Sequence, residues 1–131
     1  MGKGRTASKA NWGALRLKRI YEAPNPDDGQ RVLVDRLWPR GISKAKAELT
    51  AWLRDASPSD ALRRKVHAAP EDSWESFLEE YRQELNADSA QAALAELERL
   101  LTQGPITLLY AAKDEARNNA VALKLLLQGR R

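Results

Sequence analysis

Two short apolar runs decide the fold of this sequence: Arg31-Val32-Leu33-Val34-Asp35 and Ile106-Thr107-Leu108-Leu109-Tyr110. Each is rich in β-branched and large aliphatic residues, a pattern that is typical of buried strands. A third run, residues 15–21, alternates apolar and polar positions and predicts another strand. Because the last strand returns after a long helical segment, we expect a parallel crossover. The sequence therefore predicts an α/β fold: a small, mainly parallel sheet that is flanked by helices, with a helical insertion before the last strand.

Helical periodicity fills the segment between the two main strands. Apolar residues at i, i+3, i+4, i+7 and i+11 predict a helix that begins at Pro70. These residues are Trp74, Phe77, Leu78, Tyr81 and Leu85. A following leucine stripe predicts a second helix, which ends at Gly104-Pro105. Weaker patterns predict a helix over residues 43–52, a helix capped by Ser57 and a final helix capped by Asp114.

Composition excludes several kinds of chemistry. The 131 residues include no cysteine, which excludes disulfides, a thiolate nucleophile and cysteine-ligated metal centres. A single histidine, His67, leaves no histidine cluster for a metal. We therefore expect no metal and no cofactor.

The net charge of +4 resides at the chain ends. Residues 14–129 hold 17 basic and 18 acidic side chains, whereas residues 1–13 and 130–131 together hold five basic and none acidic. We interpret residues 1–13 as a flexible basic arm and residues 14–129 as a single α/β domain. The basic ends keep a nucleic-acid-associated module as an alternative function, with nucleic acid as the second-choice partner. A structural or partner-binding protein is a further alternative, and the oligomeric state is not predicted.

Membrane and export signals are not recognisable in the sequence. No run reaches the roughly 18–20 apolar residues of a membrane span, and the basic N-terminus is not followed by the apolar stretch of a signal peptide. The sequence predicts a cytoplasmic bacterial protein with no membrane partner.

Polar residues follow the two main strands at the point where each strand ends. After the first come Asp35, Arg36, Trp38, Arg40, Ser43 and Lys44, and after the second come Lys113, Asp114, Arg117, Asn118 and Asn119. If the strands are parallel neighbours, both clusters share the sheet edge at which open α/β sheets bind ligands. Guanidinium and ammonium groups beside a helix N-terminus suit a phosphate or a carboxylate. We therefore expect a site for a small anionic molecule, such as a nucleotide or a phosphorylated metabolite.

The residues of these clusters take separate roles in this interpretation. The expected ligand-binding residues are Arg36, Trp38, Arg40, Lys44, Lys113 and Asn118. Asp35 and Asp114 are the candidate bases if the site is catalytic, because neighbouring cations would stabilise developing negative charge. Whether the chain is an enzyme stays open. The alternative interpretation is a salt-bridge network that pins the first loop to the last helix; its members are Asp35, Arg36, Lys113 and Asp114.

The block Arg31-Val32-Leu33-Val34-Asp35-Arg36-Leu37-Trp38-Pro39-Arg40-Gly41 resembles the YeaO-like branch of a bacterial family of unknown function. The match continues through residues 17–21, 74–77 and 107–114, and it covers about residues 15–127. The resemblance implies a small α/β fold but no established activity. Where the family usually reads Asn-His-Ala after the last strand, this chain reads Asn118-Asn119-Ala120. This departure argues against histidine-dependent chemistry at that strand end.

Overall fold

Four parallel strands form one sheet in a computed structural model that describes residues 10–68 and 74–129. The strands are β1 (Arg16–Arg19), β2 (Gln30–Leu33), β3 (Ala51–Trp52) and β4 (Ile106–Tyr110). They lie in the order β1, β4, β2, β3, so that the last strand of the chain is inserted between the first two. In this register Leu108 pairs with both Leu17 and Val32. The predicted α/β fold with a mainly parallel sheet is confirmed.

Five α-helices accompany these strands in the described part of the chain. They are α1 (Lys44–Ala47), α2 (Asp60–Ala68), α3 (Trp74–Glu84), α4 (Asp88–Leu101) and α5 (Asn119–Gln128). Helices α2, α3 and α4 lie between β3 and β4, which confirms the predicted helical insertion before the last strand. None of the described helices has the length and apolar character needed to cross a bilayer.

The two faces of the sheet are covered differently. Helices α3, α4 and α5 cover one face, where Tyr81, Leu97 and Leu108 lie in the main apolar core. On the other face, a smaller cluster joins Leu33 and Leu109 to Ala47 of α1 and to the loop that follows β2. The chain therefore leaves β2 toward one face and leaves β4, through α5, toward the opposite face.

The core also reaches the N-terminal segment. Trp12, which falls within the predicted basic arm, is 7% exposed and packs in the main core. Residues 1–9 of that arm lie outside the described residues, as do the predicted helix start at Pro70 and the basic pair at residues 130–131.

The helix predicted over residues 43–52 is confirmed only in its first turn, and its predicted end is wrong. Helix α1 ends after one turn, because Glu48 adopts a left-handed conformation with φ 48°. The chain then pairs with β2: the Thr50 N–H donates to the Arg31 carbonyl, and the Leu53 N–H donates to the Leu33 carbonyl. Backbone pairing with a buried strand thus prevails over a weak amphipathic pattern.

Two predicted helix caps are wrong by two and four residues. The Ser59 hydroxyl, not that of Ser57, accepts the Leu62 N–H (3.1 Å), whereas the Ser57 hydroxyl donates to the Arg54 carbonyl. At α5 the cap is Asn118, whose Oδ1 accepts the Val121 N–H at 2.9 Å. Asp114 instead stabilises the turn that precedes this helix.

Gly29 allows β2 to begin close to β4. Its φ is +66°, and a Cβ atom there would lie 2.6 Å from the Pro105 carbonyl oxygen. That oxygen accepts the Gln30 N–H, so the two strands cannot move apart without losing a bond of the sheet. We expect Gly29→Ala to lower the free energy of unfolding by at least about 1–3 kcal/mol in urea titrations.

The matched control is Gly41→Ala. Gly41 also has a positive φ, +80°, but no atom within 4 Å of the added methyl group. Gly41→Ala therefore measures the destabilisation caused by the positive φ alone, without a steric clash. Equal losses in the two variants would contradict the close approach at Pro105.

Candidate functional site

A cavity of about 450 Å³ lies beyond the carboxyl ends of β2 and β4. These strands are neighbours, and the chain leaves them toward opposite faces of the sheet. Such a switch point is where open α/β sheets bind ligands, and the volume falls within the ~300–1,000 Å³ of small-molecule sites. Residues of both predicted polar clusters line this cavity, so the prediction that the clusters share one sheet edge is confirmed except for Ser43, Lys44 and Asp114, which do not line it.

The cavity wall is strongly cationic. Its charged side chains are Asp35, Arg36, Arg40, Arg63, Lys113 and Arg117, so five cations face one carboxylate. Aromatic side chains form much of the rest of the wall; these are Tyr21, Trp38, Trp74 and Phe77. The cap and the first residue of α5, Asn118 and Asn119, also line the cavity and add the positive end of that helix.

Asp35 joins three elements at the base of this wall. Its Oδ2 accepts the Ala111 N–H (2.9 Å), and its Oδ1 accepts the Asn119 side-chain amide (3.2 Å). The indole N–H of Trp52 donates to its carbonyl at 2.7 Å. Burial raises the pKa of the Asp35 carboxyl, although these hydrogen bonds and the nearby Arg63 act in the opposite direction.

The expected ligand-binding arginines differ in their contacts. The Arg36 guanidinium donates to the carbonyls of Pro58 (3.1 Å) and Ser57 (3.4 Å), which holds it beside the start of α2. The side chain of Arg40 is exposed and donates to no described residue, while its carbonyl accepts the Tyr21 hydroxyl (2.8 Å). Lys113 is likewise exposed and without a hydrogen bond to the described residues.

Trp38 and Asn118 line the cavity with their polar atoms already engaged. The Trp38 indole donates to the Ile42 carbonyl (2.6 Å), and its ring packs edge-on against Trp52 at 5.2 Å between centroids. Asn118 uses its oxygen to cap α5 and donates its amide to the Asp114 carbonyl (2.9 Å). Both residues therefore shape the cavity.

Lys44 and Asp114 lie outside the cavity wall. Lys44 is exposed on α1. Asp114 Oδ1 accepts the N–H groups of Ala116 (2.9 Å) and Arg117 (3.0 Å), and these bonds lower the pKa of its carboxyl. Among the described residues, neither Asp35 nor Asp114 forms an ion pair, so the suggested salt-bridge network is not formed.

Arg63 is a cation of the cavity wall that was not predicted from the sequence. It comes from the helical insertion, where Arg63-Arg64-Lys65 reads as one basic run. Its Nη2 donates to Asp60 at 3.2 Å, but its Nε is buried without a partner among the described atoms. In the sequence, its place next to the apolar Leu62 was the only feature that separated Arg63 from its two basic neighbours. In the structure Leu62 is buried and Arg63 is partly buried, whereas Arg64 and Lys65 are exposed.

Relatives of this chain match it over most of its length. A family model described as "Inactive DUF488-N3 subclade" matches residues 14–130. An uncharacterized protein of Mycobacterium tuberculosis is 45% identical over 116 residues, which are 88% of this chain and 95% of that protein. The uncharacterized protein YeaO of Escherichia coli is 38% identical over 109 residues, 83% and 92% of the two chains. No solved structure matches significantly.

Proposed function

Because the chain belongs to the YeaO-like DUF488 family and matches a subclade described as inactive, we propose that it binds a small phosphorylated molecule in the cavity at the strand ends, without transforming it. A nucleotide or a phosphorylated metabolite has the required charge and size. The observation that carries the proposal is the excess of five cationic side chains over one carboxylate in a single cavity wall.

The electrostatics of this wall favour a phosphate over a neutral ligand. Guanidinium groups form paired, charge-assisted hydrogen bonds with phosphate oxygens, and the N-terminus of α5 adds a favourable dipole. The single carboxylate of the wall, that of Asp35, opposes an anion, but five cations in the same wall outnumber it. A dianion in the cavity would therefore neutralise charges that otherwise repel one another.

The cations are assigned different tasks in this proposal. Arg40 and Lys113 contact the ligand, because both line the cavity and neither donates to a described residue. Arg36 contributes charge from a fixed position, since two carbonyls hold its guanidinium. Asp114 is not assigned the role of a base, because it lies outside the wall and its carboxylate accepts two backbone N–H groups.

We expect Arg40→Ala and Lys113→Ala each to weaken the binding of adenosine 5′-monophosphate and of pyrophosphate about tenfold or more. A hydrogen bond between charged groups contributes about 1.5–3 kcal/mol, and 1.4 kcal/mol corresponds to a tenfold change. The measurement is isothermal titration calorimetry on the full chain at low ionic strength, where surface charges are least screened.

Lys44→Ala is the matched control. It removes the same charge as Lys113→Ala, but from an exposed position on α1 that does not line the cavity. We expect it to bind both probes as the wild-type chain does. If neither probe binds the wild-type chain, or if all three variants lose affinity equally, the proposal is wrong.

A further inference from the structure

The carboxylate of Asp35 has acceptor capacity that no side chain or backbone group of residues 10–68 and 74–129 uses. A carboxylate offers about four lone-pair positions. Ala111 N–H occupies one on Oδ2 and the Asn119 amide occupies one on Oδ1. Each oxygen therefore keeps room for one further donor, and the side chain lines the cavity.

These two protein bonds also fix the direction of the carboxylate. The Ala111 N–H comes from the residue that directly follows β4, and the Asn119 amide comes from the first turn of α5. The group is thus held between two rigid elements and is preorganised for a ligand that presents two adjacent donors. Preorganisation of this kind lowers the entropic cost of binding.

The surroundings of Asp35 restrict the donors that it can receive. A phosphate has no donor to offer once it is a dianion, and it is repelled by a carboxylate. An ammonium group would be repelled by the five cations of the same wall. Neutral hydroxyl groups meet neither obstacle, and two hydroxyls on adjacent carbons can donate to the two oxygens of one carboxylate.

Resting on the proposed function, we infer that the ligand is a phosphate ester of a sugar with two vicinal hydroxyls, and that Asp35 accepts hydrogen bonds from those hydroxyls while Arg40 and Lys113 contact the phosphate. Ribose 5-phosphate and a ribonucleoside 5′-monophosphate share this chemistry. The cavity of about 450 Å³ is large enough for either molecule.

The aromatic wall does not by itself distinguish these two ligands. The Trp74 ring stacks on Phe77 at 5.4 Å between centroids, and the Arg117 guanidinium lies 5.8 Å from the Trp74 ring centroid. A nucleobase that stacked on the Trp74 ring would have to share it with Phe77 and Arg117. The contribution of a base is therefore left to the experiment.

The test is a calorimetric comparison of three probes on the full wild-type chain. They are adenosine 5′-monophosphate, 2′,3′-dideoxyadenosine 5′-monophosphate and ribose 5-phosphate. We expect the dideoxy compound to bind about tenfold or more weakly than adenosine 5′-monophosphate, because it lacks both hydroxyls that donate to a charged acceptor. Once the dideoxy compound has bound more weakly, tighter binding of adenosine 5′-monophosphate than of ribose 5-phosphate identifies a nucleotide site, and equal or weaker binding identifies a sugar-phosphate site.

The second part of the experiment repeats the calorimetric comparison with the Asp35→Asn variant. The amide retains an oxygen for the Ala111 N–H but replaces the other acceptor with a donor. We expect the preference for the ribose compound over the dideoxy compound to fall to about threefold or less. Phosphate affinity should be kept or increased, because a negative charge has been removed from the wall. Asp114→Asn, outside the cavity, is the matched control and should keep the full preference.

The outcomes separate this inference from the proposed function. If the ribose and dideoxy compounds bind the wild-type chain equally, and Arg40→Ala weakens both, the inference is overturned and the proposed function stands. If none of the phosphates binds, both are overturned. The wild-type comparison alone decides the inference if Asp35→Asn does not fold.

Discussion

Replacing Asp28 by alanine is expected to lower the free energy of unfolding by about 3–5 kcal/mol, because it leaves a buried guanidinium without its counter-charge. Asp28 is 6% exposed, and its Oδ2 lies 2.6 Å from Nη1 of Arg31, which is 4% exposed. Lys18 donates to both carboxylate oxygens at 3.0 and 3.1 Å, and the Asn25 N–H donates at 3.0 Å. The guanidinium of Arg31 would keep only its bond to the Ala47 carbonyl, since its Nη2 has no partner among the described atoms.

The loss should depend on pH in a defined direction. Burial raises the pKa of Asp28, but the hydrogen bonds from Lys18, Asn25 and Arg31 outweigh it, so that the pKa lies below its usual value of 3.8. The stabilisation is therefore complete above the unfolded-state pKa and is lost as the pH falls through the lower folded-state pKa. Urea titrations of wild type and variant should differ most near neutral pH and converge in acid.

Glu96→Ala is the control for this prediction. Glu96 also forms a carboxylate–arginine pair at i,i+3, at 2.5 Å from Arg99, but the side chains of Glu96 and Arg99 are 40% and 55% exposed. Exposed pairs of this kind contribute little to stability. A loss for Asp28→Ala as small as that for Glu96→Ala would show that the buried pair does not stabilise the fold.

The central strands were predictable because local and global requirements agree there. A parallel strand covered on both faces must be apolar throughout, and β4 is buried at all five positions. Its predicted bounds, residues 106–110, are those of the structure. Strand β3 was not predictable in this way, because its two residues pair with β2 through backbone groups that carry no sequence signal.

The predicted start of α2 was wrong for a related reason. Ser57 and Ser59 are both good caps by residue type, and the choice between them depends on α3. Glu84 accepts both the N–H (2.9 Å) and the hydroxyl (2.7 Å) of Ser59, which fixes Ser59 at the start of α2. The partner is 25 residues away in the chain, so a local pattern cannot reveal it.

The location of the candidate site was predictable, but the tasks of its residues were not. Strand ends are recognisable in the sequence, and parallel pairing brings two of them together. Whether a cation there is free depends on distant carbonyls: Arg36 is held by Ser57 and Pro58, whereas Arg40 is not. Arg63 enters from the insertion, and only the packing of α2 brings it to the cavity.

Replacing Leu108 by alanine is expected to destabilise the protein more than the same change at Leu109. Both leucines are fully buried neighbours in β4, and strand geometry directs them to opposite faces. Leu→Ala changes in cores cost about 2–5 kcal/mol, with the larger losses where the surroundings cannot close the cavity. Leu108 lies in the core built by α3, α4 and α5, whose long helices cannot move independently, so we expect a loss near the upper end.

Leu109 belongs to the smaller cluster, which in the described part of the chain is covered by the short α1, the loops on either side of it and Trp52. These segments can relax into the space, so we expect a loss of about 2–3 kcal/mol. The same relaxation displaces Trp38 and the loop that carries Arg40, because Trp38 packs against this cluster. Leu109→Ala should therefore weaken adenosine 5′-monophosphate binding more than Leu108→Ala does. The Leu109→Ala variant should nevertheless unfold at a higher urea concentration than the Leu108→Ala variant. Equal unfolding midpoints, or a reversed order of affinities, would show that the loop is positioned independently of the cluster beneath it.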